Sequence, residues 1–266
     1  MYRKAILSGL AAVCLGFSCA GPALAQQYRL NLYEGPAVGS KDWREPLVVH
    51  PKDGGEDRYN TTQPRLQVFL PEPGKADGAA IVLLPGGGLR VLSMGADMHK
   101  TIALLNAKGV AVIVLEYRTL QRTPAQIAQS TVPRPPVARP AEFPKMEIRN
   151  ANANPAPDDP ALNKVLHLAV TDGQAALRLV RSKAAQWHID PDRVGMLGTS
   201  AGGGVAFGTM MAGEEGAMPD FIISNFGPAL QDITVPQHAP PLFLMTEAWH
   251  GPVTDGLVDL FQMWIE

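Results

Sequence analysis

Short runs of consecutive apolar residues alternate along the chain with longer patterns of helical period. Runs that are apolar throughout are typical of strands buried on both faces of a parallel sheet. The predicted strands are residues 66–70, 79–84, 110–115, 193–197, 221–224 and 242–245. The predicted helices are residues 97–108, 162–187, a stretch that begins after Ser200, and 256–265. This alternation predicts an α/β fold with a doubly wound, mostly parallel sheet.

In open sheets of this type, binding sites lie beyond the carboxyl ends of the strands. One such end is followed by Gly198-Thr199-Ser200-Ala201-Gly202-Gly203, which leads from a predicted strand into a predicted helix. A serine on a sharp strand-to-helix turn, with glycines two positions before and after it, is the nucleophile elbow. The glycines leave room beside a serine whose backbone is strained. Ser200 is therefore the candidate nucleophile, and the alternative is an ordinary glycine-rich turn.

A second glycine cluster, Pro85-Gly86-Gly87-Gly88, follows the predicted strand at 79–84. Glycines at such a strand end leave backbone N–H groups bare and able to approach a ligand closely. Next to a serine nucleophile they would form an oxyanion hole, in which one donor is worth about 3 kcal/mol of barrier. The alternative is a phosphate-binding loop, but neither a Gly-Lys-Ser/Thr nor a GxGxxG spacing is present.

The first 25 residues have the pattern of a secretory signal: Arg3 and Lys4, an apolar core, and Ala23-Leu24-Ala25 before Gln26. A lipoprotein at Cys19 is disfavoured, because no aliphatic residue lies three positions before it. Both cysteines lie in this segment, so the mature chain has no thiol for a disulfide, a nucleophile or a metal. We expect a secreted or periplasmic protein.

Charge excludes some partners. The chain has 23 basic and 25 acidic residues, and removal of the two basic residues of the signal leaves 21 against 25. A mildly acidic chain without basic clusters argues against nucleic acid and anionic membranes as partners. Nothing in the sequence indicates a metal or an organic cofactor.

Two segments interrupt the regular pattern of the predicted domain at 26–266. Residues 26–64 are polar and predict an irregular N-terminal arm with a short edge strand. Residues 120–160 are rich in proline and lack apolar periodicity, which predicts an insertion over the carboxyl edge of the sheet that shapes or caps a site. The alternative for this insertion is a solvated loop.

The sequence resembles the α/β hydrolases, and more narrowly the secreted esterases grouped with acetylxylan and feruloyl esterases. The residues that carry the resemblance are Leu84-Pro85-Gly86-Gly87-Gly88, Glu116-Tyr117-Arg118, residues 177–181, residues 187–194 and the Ser200 turn, within residues 65–250. The resemblance implies that Ser200 is the nucleophile and that the N–H groups of Gly87, Gly88 and Ala201 are oxyanion donors.

The resemblance also implies an acid after the strand at 242–245 and a histidine after one more strand. The positions that align with the acid, near Trp249 and His250, are not acidic, and Glu247 and Asp255 flank them as substitutes. His250 is the histidine expected on a loop at the carboxyl edge, where it is a candidate base or an exposed loop residue. The chain ends at Glu266 within a helical pattern, so we expect a C-terminally incomplete domain, lacking the last strand and helix.

The sequence therefore predicts a serine carboxylic ester hydrolase for a small-molecule or carbohydrate ester, such as an acetylated or feruloylated polysaccharide. The alternative is a catalytically silent binding protein of the same fold or an inactive fragment, because the histidine and the acid are not in their usual places. A peptidase is less favoured, since no second domain that selects peptides is predicted.

Overall fold

The computed structural model describes residues 28–52, 54–132 and 146–266. The predicted signal at residues 1–25 lies outside the described residues, as does the part of the proline-rich insertion at residues 133–145. Among the residues that are described, no helix combines the length and the apolar character needed to span a bilayer.

A seven-stranded sheet forms the centre of the fold. Its strands, in spatial order, are β1 (Tyr28–Asn31), β4 (Arg65–Phe69), β7 (Ala111–Glu116), β5 (Ala80–Leu84), β8 (Val194–Thr199), β9 (Ile222–Asn225) and β10 (Leu242–Met245). The pairs β1/β4 and β4/β7 are antiparallel, and the remaining pairs are parallel. The sheet is mostly parallel, as the continuous apolar runs predict.

Helices cover both faces of the sheet. They are α1 (Ala96–Ala107), α2 (Pro124–Thr131), α3 (Pro160–Ser182), α4 (Ala184–Trp187), α5 (Ala201–Ala212) and α6 (Pro252–Ile265). Ile81 and Leu83 of β5 pack on the side of Ile102 in α1. Val82 and Leu84 belong to the larger core, which contains residues of α3, α5 and α6. Since successive strand residues point to opposite faces, the central strands are buried on both faces of the sheet, and the fold is doubly wound.

The register of the central strands brings the two glycine-rich turns together. In the β5/β8 pair Leu84 lies opposite Gly198, so the turn that begins at Pro85 starts beside Thr199, the last residue of β8. Parallel pairing puts both carboxyl ends at the same edge. The site residues therefore meet because of strand order, and not because they are near in sequence.

The N-terminal arm is more regular than the sequence predicts. Besides β1 it contains β2 (Val48–Lys52) and β3 (Gly55–Tyr59), which form a second sheet with β6 (Leu92–Met94) in the order β2-β3-β6. Strand β3 is not predicted from the sequence because its residues are mostly polar. Its buried residue Arg58 is held inside by an ion pair and not by apolar packing. Its guanidinium lies 3.1 Å from the buried Glu116 carboxylate at the end of β7.

Two further predictions require correction. The proline-rich segment is not irregular throughout, because α2 begins at Pro124 with a capping box between Thr123 and Gln126. Proline suits the first helical turn, where its missing N–H has no intrahelical acceptor. The helix predicted to run to Trp187 is interrupted at Lys183, whose backbone (φ −100°, ψ 1°) separates α3 from the single turn of α4.

Candidate active site

Ser200 lies between β8 and α5 and has an unusual backbone conformation. Its φ of 51° and ψ of −126° lie outside the regions that residues with a Cβ prefer. Two hydrogen bonds hold this conformation: Ser200 N–H donates to the Asn225 carbonyl at 3.1 Å, and Ser200 C=O accepts from Gly203 N–H at 2.8 Å. A strained serine fixed by its surroundings is characteristic of a functional position.

The glycines around Ser200 are required by packing. A Cβ built on Gly198 would lie 2.4 Å from the Gly202 carbonyl oxygen, and one built on Gly202 would lie 2.2 Å from the Leu84 carbonyl oxygen. One on Gly203 would lie 2.6 Å from Gly227 Cα. All three distances are too short for any side chain. The crowding that the sequence predicts on both sides of the serine is therefore present.

The glycine loop after β5 lies directly beside Ser200. A Cβ built on Gly86 would lie 3.1 Å from Ser200 Cβ. Gly87 and Gly88 have positive φ values of 134° and 62°, and a Cβ on Gly87 would lie 1.9 Å from the Val91 carbonyl oxygen. Glycine at position 87 is therefore needed both for the backbone angle and for the close approach.

Each carbonyl of this loop is held by a donor on the protein. Pro85 C=O accepts from the Tyr117 hydroxyl at 2.5 Å, Gly86 C=O from Ser93 N–H at 2.9 Å, and Gly87 C=O from Arg90 N–H at 3.1 Å and Val91 N–H at 3.2 Å. Because the carbonyl and the following N–H of one peptide unit point in opposite directions, these bonds turn the N–H groups of Gly87 and Gly88 away from the anchoring strands. In the part of the chain that the structure describes, neither N–H donates to another protein group.

Ser200 opens onto two cavities. One, of about 580 Å³, is lined by Gly88, Ala201 and His250 together with mainly apolar side chains. The other, of about 600 Å³, is lined by Gly86, Gly87, Lys52 and Asn225 among others. Residues 146 and 153–155 of the proline-rich segment also line the first cavity, so this part of the segment lies at the candidate site.

His250 is the histidine that the structure brings to a cavity of Ser200. Its ring centre lies 6.0 Å from that of Phe226, the residue after β9, and its backbone N–H donates to Thr254 Oγ1 at 3.2 Å. His50, His99, His167, His188 and His238 are exposed. The described lining of the two cavities includes none of these five.

The two candidate acids are placed differently. Glu247 and Asp255 are both exposed, and neither belongs to the described lining of the Ser200 cavities. Glu247 contributes its backbone carbonyl, which accepts from Thr254 Oγ1 at 2.6 Å, and Asp255 lies in the first turn of α6. Their carboxylates therefore remain candidates without a defined role. Within the described residues, no group of three metal-binding side chains occurs.

Sequence reasoning missed the contribution of Tyr117 to the site. Tyr117 is fully buried and reaches the glycine loop, and burial raises the pKa of its hydroxyl, so that the group remains a donor at neutral pH. Arg118 forms a buried ion pair with Asp172 of α3 at 2.7 Å. The signal was a strand that ends in three polar or amphipathic residues, but the partners across the sheet were not visible in the sequence.

Comparison with known proteins agrees with this architecture. A family model described as the alpha/beta hydrolase fold matches residues 159–250. An acetylxylan esterase of Xylanibacter ruminicola is 29% identical over 135 residues, which are 51% of this chain and 19% of that protein. The chain thus spans about a fifth of the length of that curated relative.

A solved structure shows the same fold. The Francisella virulence factor BioJ superposes with a TM-score of 0.50 at 13% identity, over 84% of this chain and 72% of that one. An acetyl ester-xyloside bifunctional hydrolase from Caldicellulosiruptor lactoaceticus matches with a TM-score of 0.41 at 21% identity, over 78% and 59% of the two chains. The predicted resemblance to α/β hydrolases of the esterase type and the predicted α/β fold are confirmed.

Proposed function

We propose that this protein of the α/β-hydrolase fold is a serine carboxylic ester hydrolase with Ser200 as its nucleophile. The observation that carries the proposal is the strained backbone of Ser200 at the end of β8, between glycines at 198 and 202 where a Cβ would collide with backbone atoms. Strain of this kind presents the hydroxyl at the carboxyl edge of the sheet, beside two cavities that a substrate can enter.

The glycine loop would supply the oxyanion hole. As Ser200 Oγ attacks the ester carbonyl carbon, negative charge develops on the carbonyl oxygen. The N–H groups of Gly87, Gly88 and Ala201 would donate to that oxygen, and Ala201 N–H adds the positive end of the α5 dipole. The anchored carbonyls at Pro85, Gly86 and Gly87 support this role, because donors that are already oriented need no rearrangement during the reaction.

His250 is the proposed general base. It would take the proton of the Ser200 hydroxyl and give it to the departing alcohol as the bond between the carbonyl carbon and the alcohol oxygen breaks. Water would then attack the acyl-Ser200 ester while His250 takes its proton, and that proton would pass to Ser200 Oγ as the bond from the carbonyl carbon to Oγ breaks and the carboxylic acid leaves. Glu247 or Asp255 is proposed to orient the imidazole, which requires a side-chain movement toward the cavity from their exposed positions.

The proposed substrates are esters of small molecules or carbohydrates, and the similarity to an acetylxylan esterase supports acetylated polysaccharide among them. Feruloylated polysaccharide is the second candidate from the sequence. We also propose that residues 1–25 direct secretion or export to the periplasm and that residues 26–266 belong to one hydrolase domain.

Labelling with a fluorophosphonate tests the nucleophile. We expect stoichiometric labelling of the protein, its loss in Ser200→Ala and its retention in Ser182→Ala, a control at an exposed serine at the end of α3. His250→Gln should lower hydrolysis of p-nitrophenyl acetate by about 10²-fold or more, whereas His167→Gln on the exposed side of α3 should not. A folded protein that neither labels nor hydrolyses the ester would instead be a silent binding protein of this fold.

A further inference from the structure

The cavity of about 580 Å³ that contains Ser200 is lined mainly by apolar side chains. Its apolar lining comes from five parts of the chain: the glycine loop, the segment before α3, α3 itself, residues 228–230, and the first turn of α6. The side chains that provide it are Leu89, Pro155, Leu162, Leu166, Leu230 and Val253. Gly88, Ser200 and Ala201 form the reactive end of the same cavity.

The polar side chains in this wall are engaged with the protein itself. The Asn154 amide donates to Leu230 C=O at 3.0 Å and accepts from Ala156 N–H at 2.9 Å. Arg90 donates through Nη1 to Gly88 C=O at 3.2 Å. One N–H group and the oxygen of Asn154, and one N–H group of Arg90, are thus already used within the protein.

Hydrogen bonds connect parts of this wall to each other. Asn150 and Asn152 donate to the Asp232 carboxylate at 3.2 and 2.9 Å, and Ala151 N–H donates to Asp259 of α6 at 2.7 Å. The two asparagine bonds hold the pKa of Asp232 below its usual value, so it is a carboxylate at neutral pH. These bonds join the segment before α3 to the residues that follow Leu230 and to α6.

We infer that this cavity binds an apolar group of the ester that is much larger than acetyl, namely an acyl or alcohol portion with the size of a medium-length alkyl chain or an aromatic ring. The inference rests on the proposed ester hydrolysis at Ser200. A volume of this size falls in the range of roughly 300–1,000 Å³ that is typical of sites for organic ligands. An acetyl group would leave most of this volume unfilled. Each further methylene that the cavity buries should favour binding of the longer ester by about fourfold.

Two ester series decide which half of the substrate enters. One keeps methanol as the alcohol and lengthens the acyl group from acetyl to octanoyl, with methyl cinnamate as the aromatic member. The other keeps acetyl and lengthens the alcohol from methyl to octyl. We expect kcat/KM to rise by about fourfold per methylene over several carbons in one series. The series that rises identifies the half that occupies the cavity.

A variant that fills the cavity connects this preference to the wall. Val253→Phe places an aromatic ring in the partly exposed wall and so reduces the volume of the cavity. We expect the ratio of activity on the octanoyl or octyl ester to activity on methyl acetate to fall at least tenfold. Val258→Phe is the control, since Val258 lies on the same helix with 49% exposure. Val253→Ala enlarges the cavity and is a second test: it should shift the preferred chain length of the ester upward.

The outcomes separate this inference from the proposed function. If Ser200 reacts with a fluorophosphonate and methyl acetate is the best substrate in both series, the inference is wrong and the nucleophile stands. An unchanged preference in both Val253 variants, with folding verified by circular dichroism, would also overturn it. If no ester is hydrolysed and Ser200 does not label, the proposed function itself fails.

Discussion

At the scale of single residues, the site depends on groups that never touch a substrate. The Tyr117 hydroxyl is the side-chain donor that anchors the Pro85 carbonyl, and Tyr117 is completely buried behind the loop. Pro85 lies two residues before Gly87, whose N–H group is one of the proposed oxyanion donors. A change at Tyr117 should therefore alter the loop without altering the cavity wall.

Tyr117→Phe removes this anchor and leaves the Pro85 carbonyl buried without its donor, which costs about 1–3 kcal/mol. We expect kcat on an ester to fall about tenfold with KM little changed, because misplaced donors weaken transition-state binding more than substrate binding. Steady-state kinetics on the variant provide the measurement.

Tyr33→Phe is the matched control. It removes a tyrosine hydroxyl that donates to Asp172 at 2.8 Å, remote from the glycine loop. Both variants should lose some stability, but Tyr33→Phe should keep kcat. Equal kcat values in the two variants would show that Tyr117 acts only on stability.

At the scale of elements, the contact between β5, β8 and α5 leaves no space for a methyl group. Gly202→Ala would place Cβ 2.2 Å from the Leu84 carbonyl oxygen. Because the obstacle is backbone, the helix must shift away from the sheet. We expect a loss of about 2–3 kcal/mol in the free energy of unfolding, measured by urea titration, together with loss of esterase activity.

Gly35→Ala serves as the comparison, because a Cβ at Gly35 would have no heavy atom within 4 Å and its φ is not in the left-handed region. This variant should be as stable as the parent protein within about 0.5 kcal/mol. A parent-like Gly202→Ala protein would mean that α5 does not pack on β5 as described.

The elements also show what sequence patterns can predict. Strands β5, β7 and β8 were predicted to within a residue or two, because continuous apolar runs arise wherever a strand is buried on both faces. Strand β3 was missed because its buried Arg58 forms an ion pair with a carboxylate on another strand, and such a pair leaves no apolar pattern in the sequence. Helix α2 was missed because prolines concealed a capped first turn.

The same limit applies to the candidate site. The proximity of Ser200 to the glycine loop follows from two parallel strands that end at one edge, so the sequence predicts it. The bond from Tyr117 to Pro85 depends on β7 lying beside β5, which a single sequence does not reveal. The roles of His250, Glu247 and Asp255 stay predictions for the same reason: they depend on side-chain positions around the cavity.

At the scale of the whole molecule, one buried ion pair joins three parts of the chain. Arg118, which lies just after β7, binds Asp172 of α3 at 2.7 Å and also the Leu168 carbonyl at 3.1 Å and the Val38 carbonyl in the N-terminal arm. The side chains of Arg118 and Asp172 are 1% and 0% exposed. Breaking this pair leaves a charge without compensation inside the protein.

We expect Asp172→Leu to lower the free energy of unfolding by about 3–5 kcal/mol. The double variant Arg118→Met with Asp172→Leu should recover part of the loss, because it removes both charges. Urea unfolding of the two variants tests this. A double variant less stable than Asp172→Leu would show that the bonds from Arg118 to the arm matter more than the pair itself.

The anchored glycine loop also has a consequence in time. Since the carbonyls of Pro85, Gly86 and Gly87 are engaged with donors of the protein itself, folding completes the proposed oxyanion hole. No slow isomerisation of the loop has to precede the first turnover. Product formation should then begin without a lag when enzyme and ester are mixed, and the turnover rate should be set by acyl transfer and product release.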